Sequence, residues 1–193
     1  MPRLTVITAS TRPNRVGAQV TDWFTKVARD HGGFDIHLVD LAQLDLPFLD
    51  EPHPAIDGLP YDNEQTRRWS DLASAADAFV IVTPEYNHGY PAPLKNALDH
   101  LYREWNDKPV AFVSYGMTSG GLRAVHQLKP VVTALRMVPV ADSVVIHLRQ
   151  ALDAAGLLTP TPAMENAANS TLDELLRIAP ALTVLRPSAS AAR

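Results

Sequence analysis

Three short segments of the chain combine hydroxyl, charged and aromatic side chains with glycine. They begin at Ser10, Pro84 and Tyr115, and they read S-T-R-P-N-R-V-G, P-E-Y-N-H-G and Y-G-M-T-S-G-G-L-R. Each segment follows an apolar run and precedes a helix-like pattern. Residues of these types, on loops positioned by a rigid framework, are typical of ligand binding.

The first segment favours a bound anion. Ser10 and Thr11 supply hydroxyl groups, and Arg12 and Arg15 supply positive charge just before a predicted helix. Unpaired amides and the positive end of the helix dipole attract an anion at such a place. A phosphate monoester fits this donor set; the alternative is an ordinary helix cap with two solvated arginines.

The second segment places polar and aromatic side chains directly after the most apolar run of the chain. Glu85, Tyr86, Asn87 and His88 would project at the edge of a sheet, and Gly89 would let the backbone approach a flat ligand closely. The alternative is a tight turn whose polar groups only satisfy the backbone. The third segment adds amide and hydroxyl donors that suit the carbonyl oxygens of a polar heterocycle.

The elements that would position these loops alternate along the chain. Apolar runs predict strands at residues 4–9, 34–39, 78–83, 110–115 and 140–147. Helical spacing predicts helices at residues 20–28, 63–76, 91–105 and 121–137 and a last one within 171–185. In the second helix the inward stripe is predicted to include Trp69 and Leu72. The proline-rich residues 45–60 are predicted to be a long surface loop.

Strict alternation predicts an α/β fold, a flavodoxin-like doubly wound sheet of five parallel strands in the order 2-1-3-4-5, with helices on both faces. We expect residues 1–186 to form a single domain and residues 187–193 to be a frayed tail. In this strand order, ligands bind at the carboxyl ends of strands one and three. The three segments follow strands one, three and four, so we expect all of them to lie at this edge of the sheet.

Composition excludes several classes of function. A net charge of -4 provides no broad positive field for nucleic acid or an anionic membrane. No apolar run approaches the roughly 20 residues of a membrane span, and no signal peptide is evident, so the cytoplasm is the expected location. Because the chain has no cysteine, any redox chemistry needs a cofactor. No metal-site motif is present, and we expect no metal.

The three segments together resemble the NADPH-dependent FMN reductase family, which includes quinone, azo-dye and chromate reductases. The similarity spans residues 4–147 in order and spacing. It implies that the first loop holds the FMN phosphate, the second cradles the isoalloxazine ring and the third packs near the pyrimidine side. The implied cofactor-binding residues are Ser10, Arg12, Arg15, Val16, Gly17, Pro84, Glu85, Tyr86, Asn87, Ser114, Tyr115, Gly116 and Gly121. The family usually has glycine where Ala9 stands here, a change that is tolerable if this residue keeps a negative φ.

The function implied is hydride transfer from NADPH or NADH through FMN to a small acceptor such as a quinone, an azo compound, chromate or free flavin. The flavin carries the chemistry, so no catalytic residue is predicted. The resemblance also implies a homodimer or homotetramer. The alternative is a flavodoxin-type electron carrier that does not turn over NAD(P)H.

Overall fold

The computed structural model describes residues 1–186, which form one sheet of five parallel strands in the order β2-β1-β3-β4-β5. This is the predicted order. The strands are β1 (Arg3–Thr8), β2 (Asp35–Asp40), β3 (Ala78–Pro84), β4 (Pro109–Gly116) and β5 (Val138–His147). The central strands β3 and β4 are buried at every position, whereas the edge strands β2 and β5 are buried at only some. Continuous apolar runs therefore mark the middle of the sheet.

Helices cover both faces of the sheet, as predicted. They are α1 (Val16–His31), α2 (Leu41–Leu44), α3 (Glu64–Ser74), α4 (Ala92–Asp99), α5 (Leu122–Ala134), α6 (Leu148–Ala151) and α7 (Pro162–Thr183). Helices α1 and α7 pack on one face, and α3, α4 and α5 pack on the other. Within the described residues, none of these helices is long and apolar enough to cross a membrane.

The second face is centred on an aromatic cluster. The ring of Trp105 lies 5.6 Å from that of Trp69 and 5.0 Å from that of Phe79, both in edge-on geometry. Their indole nitrogens are satisfied by carbonyls of α4: Trp69 donates to Ala97 and Trp105 to Leu98. These aromatic side chains consequently join α3, α4 and β3 into one core.

Two helix predictions and one burial prediction need correction. The helix predicted for residues 91–105 ends at Asp99, and a short 3-10 turn, Arg103–Trp105, completes the segment. The last helix begins at Pro162, nine residues before the predicted start of 171. Leu72 is 38% exposed because it lies just beyond the border of the buried stripe of α3.

The long loop over residues 45–60 is more ordered than its prolines indicated. It contains a 3-10 turn, Ala55–Asp57, and is tied to α4 by hydrogen bonds. Asn96 and His100 both bond to the carbonyl of Pro47, at 2.7 and 3.1 Å, and Leu49 donates to Asn96 at 3.0 Å. The loop is therefore fixed along the second half of α4, up to its C-cap residue His100. The predicted tail, residues 187–193, lies outside the described residues.

Candidate functional site

The three loops meet at the carboxyl edge of the sheet. Adjacent strand ends bring them together, since Thr8 lies beside Val82 and Pro84 lies beside Tyr115 in the parallel register. Between the loops is a cleft of about 300 Å³, within the range of small-molecule sites. Its lining residues are Arg12, Asn14, Arg15, Val16, Pro84, Glu85, Tyr86, Tyr115, Gly116, Met117 and Leu148.

Three lining residues were not predicted. Asn14 lies in the first loop with a positive φ of 54°, a conformation that asparagine tolerates better than most residues. Met117 follows Gly116 and is 55% exposed. Leu148 begins α6 directly after β5. The carboxyl end of β5 was the signal for Leu148, because the edge of a parallel sheet collects the loop after every strand.

Ser10 and Tyr115 form a buried link beneath the cleft. Tyr115 donates its hydroxyl to Ser10 Oγ at 3.1 Å, and Ser10 is completely buried. Burial raises the pKa of Tyr115 above its ordinary value, so the hydroxyl stays protonated and continues to donate. Ser10 therefore joins the first loop to β4 and does not line the cleft.

Gly17 lets helix α1 sit directly against this link. A Cβ atom on Gly17 would lie 2.3 Å from Ser10 Oγ and 2.4 Å from the Tyr115 hydroxyl. No side chain fits there without displacing one of them. The glycine thus brings the first turn of α1 to the edge of the sheet. Ala9 is not among the residues with positive φ, so its methyl group is tolerated as expected.

The first turn of α1 is open toward an anion. Its N-cap residue, Arg15, makes no side-chain capping bond, and the first turn contains no acidic residue. The amides of Val16, Gly17 and Ala18 are among those that a helix cannot satisfy itself. Arg12 is exposed beside them, with its guanidinium carbon 6.0 Å from the centroid of the Tyr86 ring. Positive charge and amide donors therefore converge on one end of the cleft.

Arg15 is held by an acid. Its guanidinium forms an ion pair with Asp40, at the end of β2, and both side chains are about four-fifths buried. Asp40 also accepts a hydrogen bond from the amide of Ala42 at 3.0 Å and so caps α2. Arg15 Nε is covered and has no hydrogen-bond partner within residues 1–186.

Glu85 ties the second loop to the third. Its carboxylate accepts hydrogen bonds from the Ser119 hydroxyl, from the Arg123 amide at 3.1 Å and from the Arg123 guanidinium at 2.9 Å. Burial opposes ionisation of this side chain, but the bonds from Ser119 and Arg123 outweigh it and lower the pKa of Glu85. Glu85 is thus a fixed anion at the start of α5.

The second loop is a tight two-residue turn. Tyr86 and Gly89 exchange backbone bonds of 2.9 and 3.0 Å, and between them Asn87 and His88 both have positive φ, at 50° and 71°. This is the pattern of a type I′ turn. Asn87 and His88 are exposed at its tip, away from the lining of the cleft. The turn aims the side chain of Tyr86 into the cleft wall.

The remaining predicted residues, Ser114 and Gly121, support the third loop from below. Ser114 donates its hydroxyl to the carbonyl of Gly120 at 2.9 Å and is completely buried. Gly121 has a φ of 93° and lies so close to Ser114 that a Cβ atom would approach it to 2.7 Å. These residues shape the loop without lining the cleft.

The donor set fits a phosphorylated ring compound. An uncapped helix start and two arginines suit a phosphate, while Tyr86, Val16, Met117 and Leu148 supply apolar and aromatic surface. The covered Nε of Arg15 is a donor that an anionic oxygen in the cleft would satisfy. The residues present are therefore compatible with a flavin mononucleotide.

The strand order and the helices on both faces define a flavodoxin-like α/β protein. Comparison of sequences narrows the class. The profile of the NADPH-dependent FMN reductase family matches residues 2–156, so the chain belongs to that family.

Relatives in sequence agree with this assignment, and a solved structure has the same fold. The chain is 44% identical to an NAD(P)H-dependent FMN reductase of Schizosaccharomyces pombe over 137 residues, 70% of this chain and 68% of that protein. It is 37% identical to an NAD(P)H-dependent FMN reductase of a Nectria species, over 76% and 75% of the two chains. FerB, a flavoenzyme NAD(P)H:(acceptor) oxidoreductase from Paracoccus denitrificans, has the same fold, with a TM-score of 0.72 at 24% identity over 92% of this chain and 99% of that one.

Family membership makes the chain an oxidoreductase driven by NAD(P)H, with FMN as its cofactor. The enzymatic prediction is thereby confirmed over the alternative of an electron carrier.

Proposed function

We propose that the cleft at the carboxyl edge of the sheet is the FMN site. Arg12, Arg15 and the amides of Val16 and Gly17, at the start of α1, would hold the phosphate. Pro84, Tyr86 and Gly116, in the second and third loops, would border the isoalloxazine ring. Ser10, Ser114 and Gly121 act from beneath by fixing the loops.

One observation carries this proposal. Helix α1 reaches the edge of the sheet with no capping bond from its N-cap side chain, and the basic residues Arg12 and Arg15 both line the cleft beside it. The one acidic lining residue, Glu85, has its carboxylate engaged by Ser119 and Arg123. An anion placed there gains both the helix dipole and two positive charges.

The chain's own residues bind and orient but have no acid-base task. The redox chemistry, hydride transfer from a nicotinamide and reduction of an acceptor, would be supplied by FMN when it is bound. Glu85 has its carboxylate engaged by Ser119 and Arg123, and Tyr115 keeps its proton in the bond to Ser10. Tyr86 and the exposed Met117 border the open side, where nicotinamide and acceptor take turns.

We infer that the acceptor is a small quinone. Relatives from rice, potato and Arabidopsis thaliana are named NAD(P)H:quinone or NADPH:quinone oxidoreductases, at 33 to 38% identity. An azo compound is the second candidate, since a relative from a Bacillus strain is named NADPH azoreductase. Chromate and free flavin remain further candidates for the same open side of the cleft.

A spectrum and an activity assay test these proposals together. The purified protein is expected to show flavin absorbance and to oxidise NADPH or NADH when benzoquinone is added. A colourless protein that binds no added FMN would contradict the site.

The Arg12→Ala variant tests the phosphate end of the cleft. We expect it to weaken FMN binding about tenfold or more, because it removes a charged donor. Arg29→Ala, at the far end of the same helix, is the control and should bind FMN normally. Equal flavin retention by both variants would contradict the role of Arg12.

We further propose that the protein is a homodimer or homotetramer, with α2, the long loop and α4 at the contact. These elements form an apolar groove of about 500 Å³ beside Phe48, which is 85% exposed. Sedimentation of the native protein and of Phe48→Ser tests this: a smaller assembly of the variant supports the contact, and a monomeric native protein contradicts it.

The domain organisation and location are also proposals. We propose that residues 1–186 unfold as one domain, which equal calorimetric and van't Hoff enthalpies would support and two separate transitions would contradict. We propose a cytoplasmic location, and recovery in a membrane fraction would contradict it.

A further inference from the structure

The two arginines of the cleft differ in how they are held. Arg12 is exposed, lies near the Tyr86 ring and forms no ion pair within residues 1–186. Arg15 is mostly buried and paired with Asp40. Arg12 can therefore supply charge, whereas only Arg15 is held in one geometry.

The hydrogen bonds of Asp40 hold its carboxylate in a fixed position beside Arg15. One carboxylate oxygen pairs with Arg15, and the other accepts the Ala42 amide at 3.0 Å. Asp40 ends β2, the strand beside β1, so its position is set by the sheet and by the cap of α2. An aspartate fixed in this way orients the guanidinium that it holds.

The bonding of Arg15 leaves donors for a ligand. A guanidinium has five N–H donors in a rigid plane, and Asp40 engages one nitrogen. Nε is covered and without a partner in the described part of the chain. Buried donors of this kind are rarely left unpaired in native proteins, so a missing acceptor is indicated.

We propose that Asp40 is a positioning residue of the cofactor site, which holds the Arg15 guanidinium so that its remaining donors meet the FMN phosphate. This inference rests on the proposed location of the phosphate. By Coulomb's law alone, the negative charge of Asp40 would repel the phosphate and weaken its binding. The proposal instead gives Asp40 a favourable role, because it orients Arg15.

Repulsion by Asp40 and positioning by Asp40 predict opposite changes in FMN affinity for the same substitution. If charge alone mattered, Asp40→Asn would tighten FMN binding. If Asp40 positions Arg15, the same change weakens FMN binding by about tenfold, because a charge-assisted bond that orients the donor is lost. Asparagine can still accept the Ala42 amide, so the cap of α2 is kept.

The experiment measures FMN and riboflavin affinity of the full-length apoprotein by quenching of flavin fluorescence. Riboflavin lacks the phosphate and should bind Asp40→Asn as it binds the native protein. Asp45→Asn is the matched control: it removes an exposed acid at the other end of α2, and asparagine tolerates the positive φ of 48° found there. The control should bind FMN at least as well as the native protein.

Two further variants keep the test decisive if Asp40→Asn is unstable. Arg15→Lys keeps the charge but removes the planar fork and Nε, so FMN affinity should fall about tenfold while riboflavin affinity stays constant. In the double variant, Asp40→Asn should add little to the loss already caused by Arg15→Lys, because both act through one contact.

Three results would overturn the inference: equal or tighter FMN binding by Asp40→Asn, a parallel loss of riboflavin, or additive effects in the double variant. None of them depends on turnover. If Arg12→Ala also binds FMN as tightly as the native protein, the proposed location of the phosphate is wrong; if Arg12→Ala binds FMN weakly and Asp40→Asn does not, only the role of Asp40 is wrong.

Discussion

Helices α1 and α5 begin at the same edge of the sheet but are capped in opposite ways. At α5, Glu85 from a different loop accepts the amide of Arg123 and its guanidinium, so the helix start already holds an anion. At α1 the N-cap residue Arg15 makes no capping bond with its side chain, and the first turn contains no acidic residue. The helix dipole is similar in both, and what differs is whether the chain supplies the negative charge. The start of α1, which lies beside two arginines and lacks an anion, is therefore the expected ligand-binding end of the cleft. The start of α5, whose anion is Glu85, instead stabilises the surrounding loops.

Removal of the anion at the start of α5 tests this difference between the two helices with the largest expected effect. In Glu85→Gln the carboxylate contacts to Ser119 and Arg123 lose their charge, and we expect a loss of about 2 kcal/mol in the free energy of unfolding. Urea unfolding at neutral pH measures it. Glu64→Gln, an exposed acid in the first turn of α3, is the control and should cost less than about 1 kcal/mol.

The same variant has a defined pH dependence. Because the pKa of Glu85 is lowered from 4.5 in the folded protein, its contribution to stability is complete above the unfolded pKa and disappears as the pH falls through the folded pKa. The difference between native protein and Glu85→Gln should therefore be constant above about pH 6 and shrink in acid. A difference that stays constant down to pH 2 would show that the charge of Glu85 does not close α5.

The open start of α1 depends on Gly17. Helix propensity alone predicts that Gly17→Ala stabilises the protein by up to about 1 kcal/mol. The contacts at 2.3 and 2.4 Å predict instead a loss of about 1 to 2 kcal/mol and weaker FMN binding, since the Ser10–Tyr115 link must move. Thermal unfolding and FMN titration decide between the two signs.

The control for this prediction is the next residue. Ala18 is exposed in the same turn, so Ala18→Gly reports helix propensity without the steric contact. If Gly17→Ala is more stable than the native protein, α1 does not need a glycine to reach the edge of the sheet.

The fold was largely predictable because the central strands are apolar without interruption and alternate with amphipathic segments. Errors in the predicted helix bounds arose where the same spacing of apolar residues fits both an α-helix and a 3-10 turn. Leu101 and Trp105 are buried at helical spacing, yet a 3-10 turn delivers Trp105 to the core. The start of α7 had a readable signal that was missed: Thr161 accepts the Met164 amide as an N-cap, and Pro162 stands at the first helical position.

The site was predictable as a set of loops but not as a set of contacts. Glu85 and Arg123 are 38 positions apart, and nothing in the sequence pairs them. Likewise, Ser10 has the type of a phosphate ligand, but its hydroxyl is engaged by Tyr115, 105 positions away. Residue type and loop position show where a ligand can bind. Which side chains face it depends on pairings that only the assembled sheet brings about.

A carboxylate added to the first turn of α1 would imitate the anion that Glu85 provides at α5, and its expected effect is small. Ala18→Glu puts a carboxylate at an exposed position in the first turn of α1. The helix dipole should stabilise the apoprotein by about 0.3 to 1 kcal/mol, while repulsion of the phosphate should weaken FMN binding several-fold. Ala18→Gln carries the same shape without charge and should change neither quantity. The stability of Ala18→Glu rises while its FMN affinity falls only if the phosphate and the new carboxylate compete for the same helix start. If Ala18→Glu is stabilised but binds FMN as tightly as Ala18→Gln, the phosphate binds elsewhere.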